Sequence, residues 1–172
     1  IELQIGAFGS DSYPMQVIEH IKANAEVTIE MPFGSAQLRE DSERPLLLIA
    51  GGTGFSYIKS MFEHLAAQNS QREVIVYWGL RDQSACYELN ETAEMISQLA
   101  NGKFIPVIEI PDDTWQGRVG MVHKTVMHDL NNLADYDIYL AGRFEMVAAV
   151  RQDFVEQGAL VEHMYADAFA FI

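Results

Sequence analysis

Hydrophobic positions change rhythm along this chain. In the opening "IELQI", Ile1, Leu3 and Ile5 alternate with Glu2 and Gln4, and "VTIEM" repeats the pattern with Val27, Ile29 and Met31. Period-two alternation predicts half-exposed antiparallel strands. Between them Met15, Ile18 and Ile21 recur at helical spacing behind Pro14, which suits the first turn of a helix. Further on the texture becomes near-continuously apolar in "LLLIA" (46–50), "VIVYW" (74–78), "FIPVI" (104–108) and "DIYLA" (137–141). Such runs fit parallel strands covered by helices on both faces. Helical spacing separates them. It is carried by Phe55, Ile58, Phe62 and Leu65, by Leu89, Ala93, Ile96 and Ala100, and by Val119, Val122, Val126 and Leu130. A fourth helix is expected from Phe144 through Val147, Val150 and Phe154 to a cap near Gly158.

The alternation of strand and helix predicts an α/β fold, a doubly wound, five-stranded parallel sheet over residues 44–172. Residues 1–40 read as the tail of an antiparallel domain, with Ile1 starting in mid-strand. A chain of 172 residues with 49% hydrophobic content can bury one good core and a small appendage.

The junction "IAGGTGFSYIKS" is the first candidate for chemistry. Gly52-Thr53-Gly54 follows the first parallel strand and opens a helix, where an open parallel sheet places its phosphate site. A lone Gly-x-Gly also makes an ordinary turn, and Tyr57 occupies the place of the third glycine in the dinucleotide fingerprint. At the tip of the second strand, "YWGLRDQ" carries Arg81 beside Asp82. A cation there can meet a phosphate on an adenine ribose, where dehydrogenases keep a carboxylate.

Charge narrows the partners. With 25 acidic and 11 basic residues the net charge is −14, which disfavours nucleic acid and anionic membranes. An anionic ligand must be held by local amides and isolated arginines. No stretch approaches the roughly 18 apolar residues of a membrane span, and a cytoplasmic protein is expected. The single Cys86 cannot form an internal disulfide or ligate a cluster by itself. His20, His64, His123, His128 and His163 show no i, i+4 pairing, so no metal site is expected. In "PDDTWQGRVG", Arg118 is expected to pair with Asp112 or Asp113.

Together these segments resemble the ferredoxin-NADP reductase superfamily, and within it the bacterial NAD(P)H-flavin reductases, including those that supply reduced flavin to luciferase. "MPFGSAQL" resembles the last strand of a flavin-binding barrel, "IAGGTGFSYIKS" the first nicotinamide-domain loop and "WGLRDQSACY" the Gly-x-Arg segment. "YLAGRFEM" resembles the Cys-Gly-Pro-x-x-Met region, and the ending "DAFAFI" is the most particular match. Ala141 replaces a cysteine common beside the nicotinamide, and Tyr57 a common proline. The barrel's Arg-x-Tyr/Phe-Ser motif has no counterpart in the chain.

The resemblance implies an enzyme that moves hydride from nicotinamide C4 to flavin N5. NADH or NADPH is the donor, and FMN, FAD or riboflavin is a substrate or loosely held cofactor. It implies binding by Gly51, Gly52, Thr53, Gly54, Phe55 and Ser56 at the pyrophosphate and nicotinamide, and by Arg81 and Tyr87 at the adenosine end. Ala141, Gly142, Arg143, Phe144 and Met146 are assigned to the nicotinamide ribose and ring. Thr53 and Asp167 are its candidate catalytic positions, with Phe169 and Phe171 near the flavin unless they alternate as strand core. The acceptor of reduced flavin could be luciferase or an oxygenase. A non-enzymatic nucleotide-binding module, or a reductase domain feeding an oxygenase or iron–sulfur partner, remain the other readings.

If Arg81 meets a ribose phosphate, Arg81→Ala in the intact enzyme weakens NADPH more than NADH. A charged hydrogen bond contributes about 1.5–3 kcal/mol, or roughly tenfold to a hundredfold in affinity. Equal losses in paired NADPH and NADH titrations would show that Arg81 reads something common to both.

Overall fold

A computed structural model describes residues 1–7, 9–31 and 33–171. Pro32 of "MPFGSAQL" and the closing Ile172 of "DAFAFI" lie outside the described residues. The chain divides into two compact units, Ile1–Gly34 and Ser35–Ile172.

In the first unit one helix forms, α1 (Tyr13–Ala23), with Pro14 in its opening turn and none of its residues buried. The stretches 1–7 and 24–31 join no strand ladder, and Ile29 and Met31 are exposed. Two short strands with no covering face are marginal in water, so alternation alone does not pair them.

The second unit is built on β1 (Leu46–Gly51), buried along almost its whole length. Every position from Leu46 to Ala50 is apolar because each side chain enters one of two cores. Leu46, Leu48 and Ala50 meet Phe55, Ile58 and Phe62, which belong to α2 (Phe55–Ala67). Leu47 and Ile49 meet Val147, Val150 and Phe154 of α5 (Phe144–Glu156). The remaining elements are β2 (Val74–Leu80), α3 (Leu89–Ser97), β3 (Gly102–Ile108), β4 (Arg118–Val119), α4 (Val122–Asp129), β5 (Asp137–Ala141) and β6 (Met164–Tyr165). The sheet order is β4-β3-β2-β1-β5-β6, and every pairing is parallel.

The sheet therefore has six strands rather than five. Its two outermost, β4 and β6, are two residues each, too short for an apolar run to mark. Val119 belongs to β4 and not to α4, which starts at Val122 behind an extended Met121. The alternating phenylalanines of "DAFAF" wind into a 3-10 turn, Asp167–Phe171, rather than a strand. Arg118 pairs with Asp129 at 2.6 Å, whereas Asp112 accepts from the Thr114 hydroxyl and amide. The helix from Phe144 does close at Gly158, whose φ of +92° suits glycine. Among the described residues no helix is long and apolar enough to cross a membrane.

The amino-terminal edge of the sheet is fastened by one carboxylate. Asp137 opens β5 with no exposed surface and meets Arg44 Nε at 3.3 Å, Arg72 Nη2 at 3.0 Å and His163 Nδ1 at 2.8 Å. Arg72 also donates to the carbonyls of Arg44 and Arg39, at 2.6 and 2.9 Å. Three segments far apart in sequence thus converge on Asp137, and the charge is compensated where it is buried. Removing it leaves two guanidinium groups with carbonyl acceptors but no counter-charge. Asp137→Ala should lower the unfolding free energy by about 3–5 kcal/mol in urea titrations; a loss within error of zero would remove the staple.

Candidate functional site

The chain runs outward from β1 through β2 and β3 to β4, then returns to β5 on the other side of β1. At the carboxyl ends of β1 and β5 the connections therefore leave for opposite faces and open a crevice, the switch point where such sheets bind ligands. Two loops meet there. Gly52–Gly54 makes a 3-10 turn into α2, and Gly142 with Arg143 leads into α5.

The first loop is shaped by what glycine lacks. Gly52 has φ +55°, and a Cβ on it would meet nothing within 4 Å. Its backbone therefore faces open space in a conformation that glycine adopts readily. Gly54 is the reverse, for a Cβ there would lie 2.7 Å from the Ala141 carbonyl and the Gly142 nitrogen. The missing Cβ of Gly54 thus admits the neighbouring loop. No carboxylate lies in the first turn of α2, so the positive end of that helix is uncompensated toward an anion. Trp78 Nε1 donates to the Gly52 carbonyl at 2.9 Å, and the Ser56 hydroxyl donates to the Thr53 carbonyl at 3.2 Å.

The sequence-derived residues fall into exposed and supporting sets. Gly52, Thr53, Gly142, Arg143 and Phe144 are exposed around the crevice, and Gly51, Ser56 and Ala141 are half-buried. Phe55 is wholly buried and stacks on Trp78, with centroids 3.9 Å apart, so it underlies the loop rather than facing a ligand. Met146 also supports: its sulfur would lie 2.7 Å from a Cβ on Gly51, and its methyl 2.7 Å from one on Gly142.

Arg81 and Tyr87 lie on the segment after β2 and are both exposed. Between them Asp82 caps the turn Gln83–Ala85 by accepting from the Ser84 amide at 3.0 Å and hydroxyl at 2.5 Å. That hydroxyl is the main reason its carboxyl titrates below the usual range, with Arg81 adding to the shift. The Arg81 carbonyl accepts from Ile110, and Gln83 Oε1 from the Asp112 amide, which ties this segment to the one after β3. Tyr87 meets Trp78 edge-on at 5.0 Å. Cys86 is half-buried, and burial pushes its thiol upward, away from reactivity.

Asp167 is exposed at the head of the last turn. Phe169 is half-buried against the second core beneath the Arg151 guanidinium, 5.0 Å from its ring centre, while Phe171 is exposed. Tyr57 was not among the expected site residues. Its hydroxyl donates to the Ala36 carbonyl, and burial together with the Asp167 charge pushes its pKa well above the usual tyrosine range. Tyr139 does similar work, accepting from the Arg39 amide at 2.8 Å and donating to the Gln37 carbonyl at 3.3 Å. Its hydroxyl is pushed up to about 12, chiefly by burial. Residues 36–39 are thereby strapped to α2 and β5. Nothing in the local pattern around Tyr57 announces this, since its acceptor lies 21 positions away.

Residues 48–152 match the model for the oxidoreductase NAD-binding domain. The NAD(P)H-flavin reductase of Vibrio harveyi is 46% identical over 177 residues, covering 100% of this chain and 75% of that protein. That of Aliivibrio fischeri is 44% identical with the same coverage. This chain belongs to the NAD(P)H-flavin reductase family. Solved structures agree with the assignment. An Amycolatopsis cytochrome P450 reductase superposes with a TM-score of 0.73 at 26% identity, over 80% of this chain and 42% of that one. The ferredoxin reductase in carbazole 1,9a-dioxygenase gives 0.68 at 25% identity, over 78% and 40%. The part of the flavin-reductase family that this chain represents is an α/β NAD-binding domain of ferredoxin-reductase type, preceded by a short helical unit.

Loop contact at the switch point is directly testable. Gly54→Ala must push the Ala141–Gly142 backbone away, at about 1–3 kcal/mol of stability, as overpacking does. NADH titration should weaken several-fold while the variant stays folded at 25 °C. Unchanged affinity would show that the loop spacing is immaterial to the nucleotide.

Proposed function

We propose that this chain is the nicotinamide-binding portion of an NAD(P)H:flavin oxidoreductase. The observation that carries the reading is the crevice between β1 and β5, where the open Gly52–Thr53 backbone and the positive end of α2 lie beside the Gly142–Arg143 loop. Its donors suit a dinucleotide in an acidic protein, because backbone amides bind phosphate without a basic surface. Arg81 and Tyr87 are assigned to the adenosine, Gly52 to Gly54 to the phosphates, and Ala141 to Phe144 to the nicotinamide ribose and ring. Thr53 and Asp167 are assigned to the ring-facing end.

Hydride transfer from nicotinamide C4 to flavin N5 is the chemistry the two cofactors supply when bound. The protein's share is to bind, orient and exclude water. The Trp78 hydrogen bond holds the Gly52 peptide, and Gly54 keeps the two loops close enough to grip one ligand. Neither a nucleophile nor a metal centre is called for by this role. Flavin as FMN, FAD or riboflavin is the acceptor, and its holding falls to barrel residues of the kind that carry Arg-x-Tyr/Phe-Ser. Residues 1–40 are read as the last part of such a barrel. Reduced flavin then passes to an acceptor enzyme, luciferase or an oxygenase. The likeness to the ferredoxin reductase in carbazole 1,9a-dioxygenase supports the second, and that to the NAD(P)H-flavin reductases of Vibrio harveyi and Aliivibrio fischeri supports flavin as the acceptor. A cytoplasmic setting suits NADH as reductant.

The division of labour sets the decisive measurement. The 172-residue chain should bind NADH yet reduce free FMN or riboflavin no faster than buffer, because hydride transfer needs the rings held near about 3–3.5 Å. The same chain joined to a complete flavin barrel should oxidise NADH in a flavin-dependent way. Robust flavin reduction by the shorter chain would show that it holds flavin unaided. A barrel-bearing protein that binds NADH but never reduces flavin would favour a regulatory nucleotide module.

A further inference from the structure

One buried side chain touches both ends of the proposed dinucleotide site. Trp78 has no exposed surface, yet its Nε1 reaches the Gly52 carbonyl at 2.9 Å and its ring meets Tyr87 edge-on at 5.0 Å and 83°. The opposite constraint comes from Phe55, stacked on the indole at 3.9 Å and 14°. Phe55 is itself buried and stands 6.5 Å from Tyr87. The indole is therefore fixed by two rings and one hydrogen bond. It cannot shift without moving the glycine loop, Tyr87 or both.

Two physical consequences follow. A buried indole N–H requires an acceptor, and the Gly52 carbonyl, which also accepts from the Phe55 amide that closes the 3-10 turn, supplies it, so this carbonyl is turned inward. In a trans peptide the next N–H points the opposite way, which aims the Thr53 amide away from the indole. Thr53 is exposed at the crevice, so the indole directs a backbone donor outward. Tyr87, 44% exposed on the segment after β2, offers its outer surface at the proposed adenosine end while its ring meets the indole edge-on.

We propose that Trp78 is a positioning residue that couples the two halves of the dinucleotide site. It orients the Gly52–Thr53 peptide for the phosphate and nicotinamide half and seats Tyr87 for the adenosine half. Ordering of either half then prepares the other. The proposal rests on the nucleotide-binding reading. Coupling arises because a ligand that immobilises Tyr87 also restricts the indole and, through it, the Gly52 carbonyl, leaving less disorder for the second ligand to remove.

The test uses the 172-residue chain labelled with 5-fluorotryptophan, whose two indoles, Trp78 and Trp115, are assigned by Trp115→Phe. AMP and reduced nicotinamide mononucleotide are titrated separately and then together. Each half-ligand should shift the Trp78 fluorine resonance, and saturating AMP should tighten reduced mononucleotide binding by about fivefold or more. Trp78→Phe keeps an aromatic ring but loses the donor. It should weaken NADH about three- to tenfold and bring the AMP effect to unity. A Trp78 resonance that answers to only one half-ligand, or additive binding in the wild type, would overturn the proposal while leaving nucleotide binding intact. So would wild-type NADH affinity in a folded Trp78→Phe. These wild-type measurements decide the question if Trp78→Phe does not fold. A wild-type chain that binds neither NADH nor either half removes the nucleotide reading and this inference together.

Discussion

Everything in the larger unit depends on β1 being paired on both sides along its whole length. Leu46 to Ala50 face β2 on one side and β5 on the other, and their side chains alternate into separate cores. That arrangement permits no polar residue before Gly51. It also forces the divergence of the two connections, because the neighbours of β1 receive the chain from helices on opposite faces. The crevice is thus a geometric result of the winding, and the local residues only refine it. Gly54 is the refinement that matters most, since its missing Cβ lets the backbone at Ala141 and Gly142 come within packing distance.

Polarity is divided between the two ends of the sheet. At the amino-terminal edge a buried carboxylate gathers two guanidinium groups and a histidine, so charge is spent on cohesion. At the opposite edge the residues near the crevice include glycine, threonine, serine and aromatic rings, with Arg81 and Arg143 as exposed cations and Glu145 in the first turn of α5. An acidic molecule can accept an anion there because the donors are fixed amides rather than a diffuse positive field.

The sequence told much of this, and unevenly. The four long strands and the helices between them were legible because full burial on both faces leaves an unbroken apolar record. The edge strands β4 and β6 were not, as two residues of pairing leave no period to detect. "IELQI" and "VTIEM" carried a strand period that no ladder uses among the described residues, since alternation specifies a face and not a partner. Site residues divided in the same way. Thr53 and Arg81 were expected from their place at strand ends and Gly142 from the family resemblance, and all three lie exposed there. Phe55 and Met146 share those segments but face inward, a distinction that depends on helix phase and on neighbours distant in sequence. Trp78 escaped notice because its value lies in a hydrogen bond to a residue 26 positions away, while in sequence it is one more apolar residue in a strand.

The brevity of β4 and β6 bears on how the molecule meets copies of itself. An open parallel sheet ends in two rows of unpaired amides and carbonyls, a template on which another strand can grow. Here the outermost strands are two residues long, β4 covering only Val107 and Ile108 of β3 and β6 only Ile138 and Tyr139 of β5. A strand of another chain docking there would gain too few hydrogen bonds to stay. Growth of a strand on β4 or β6 is thereby discouraged, and the fully buried β1 and β2 are kept in the interior, where they cannot seed aggregation.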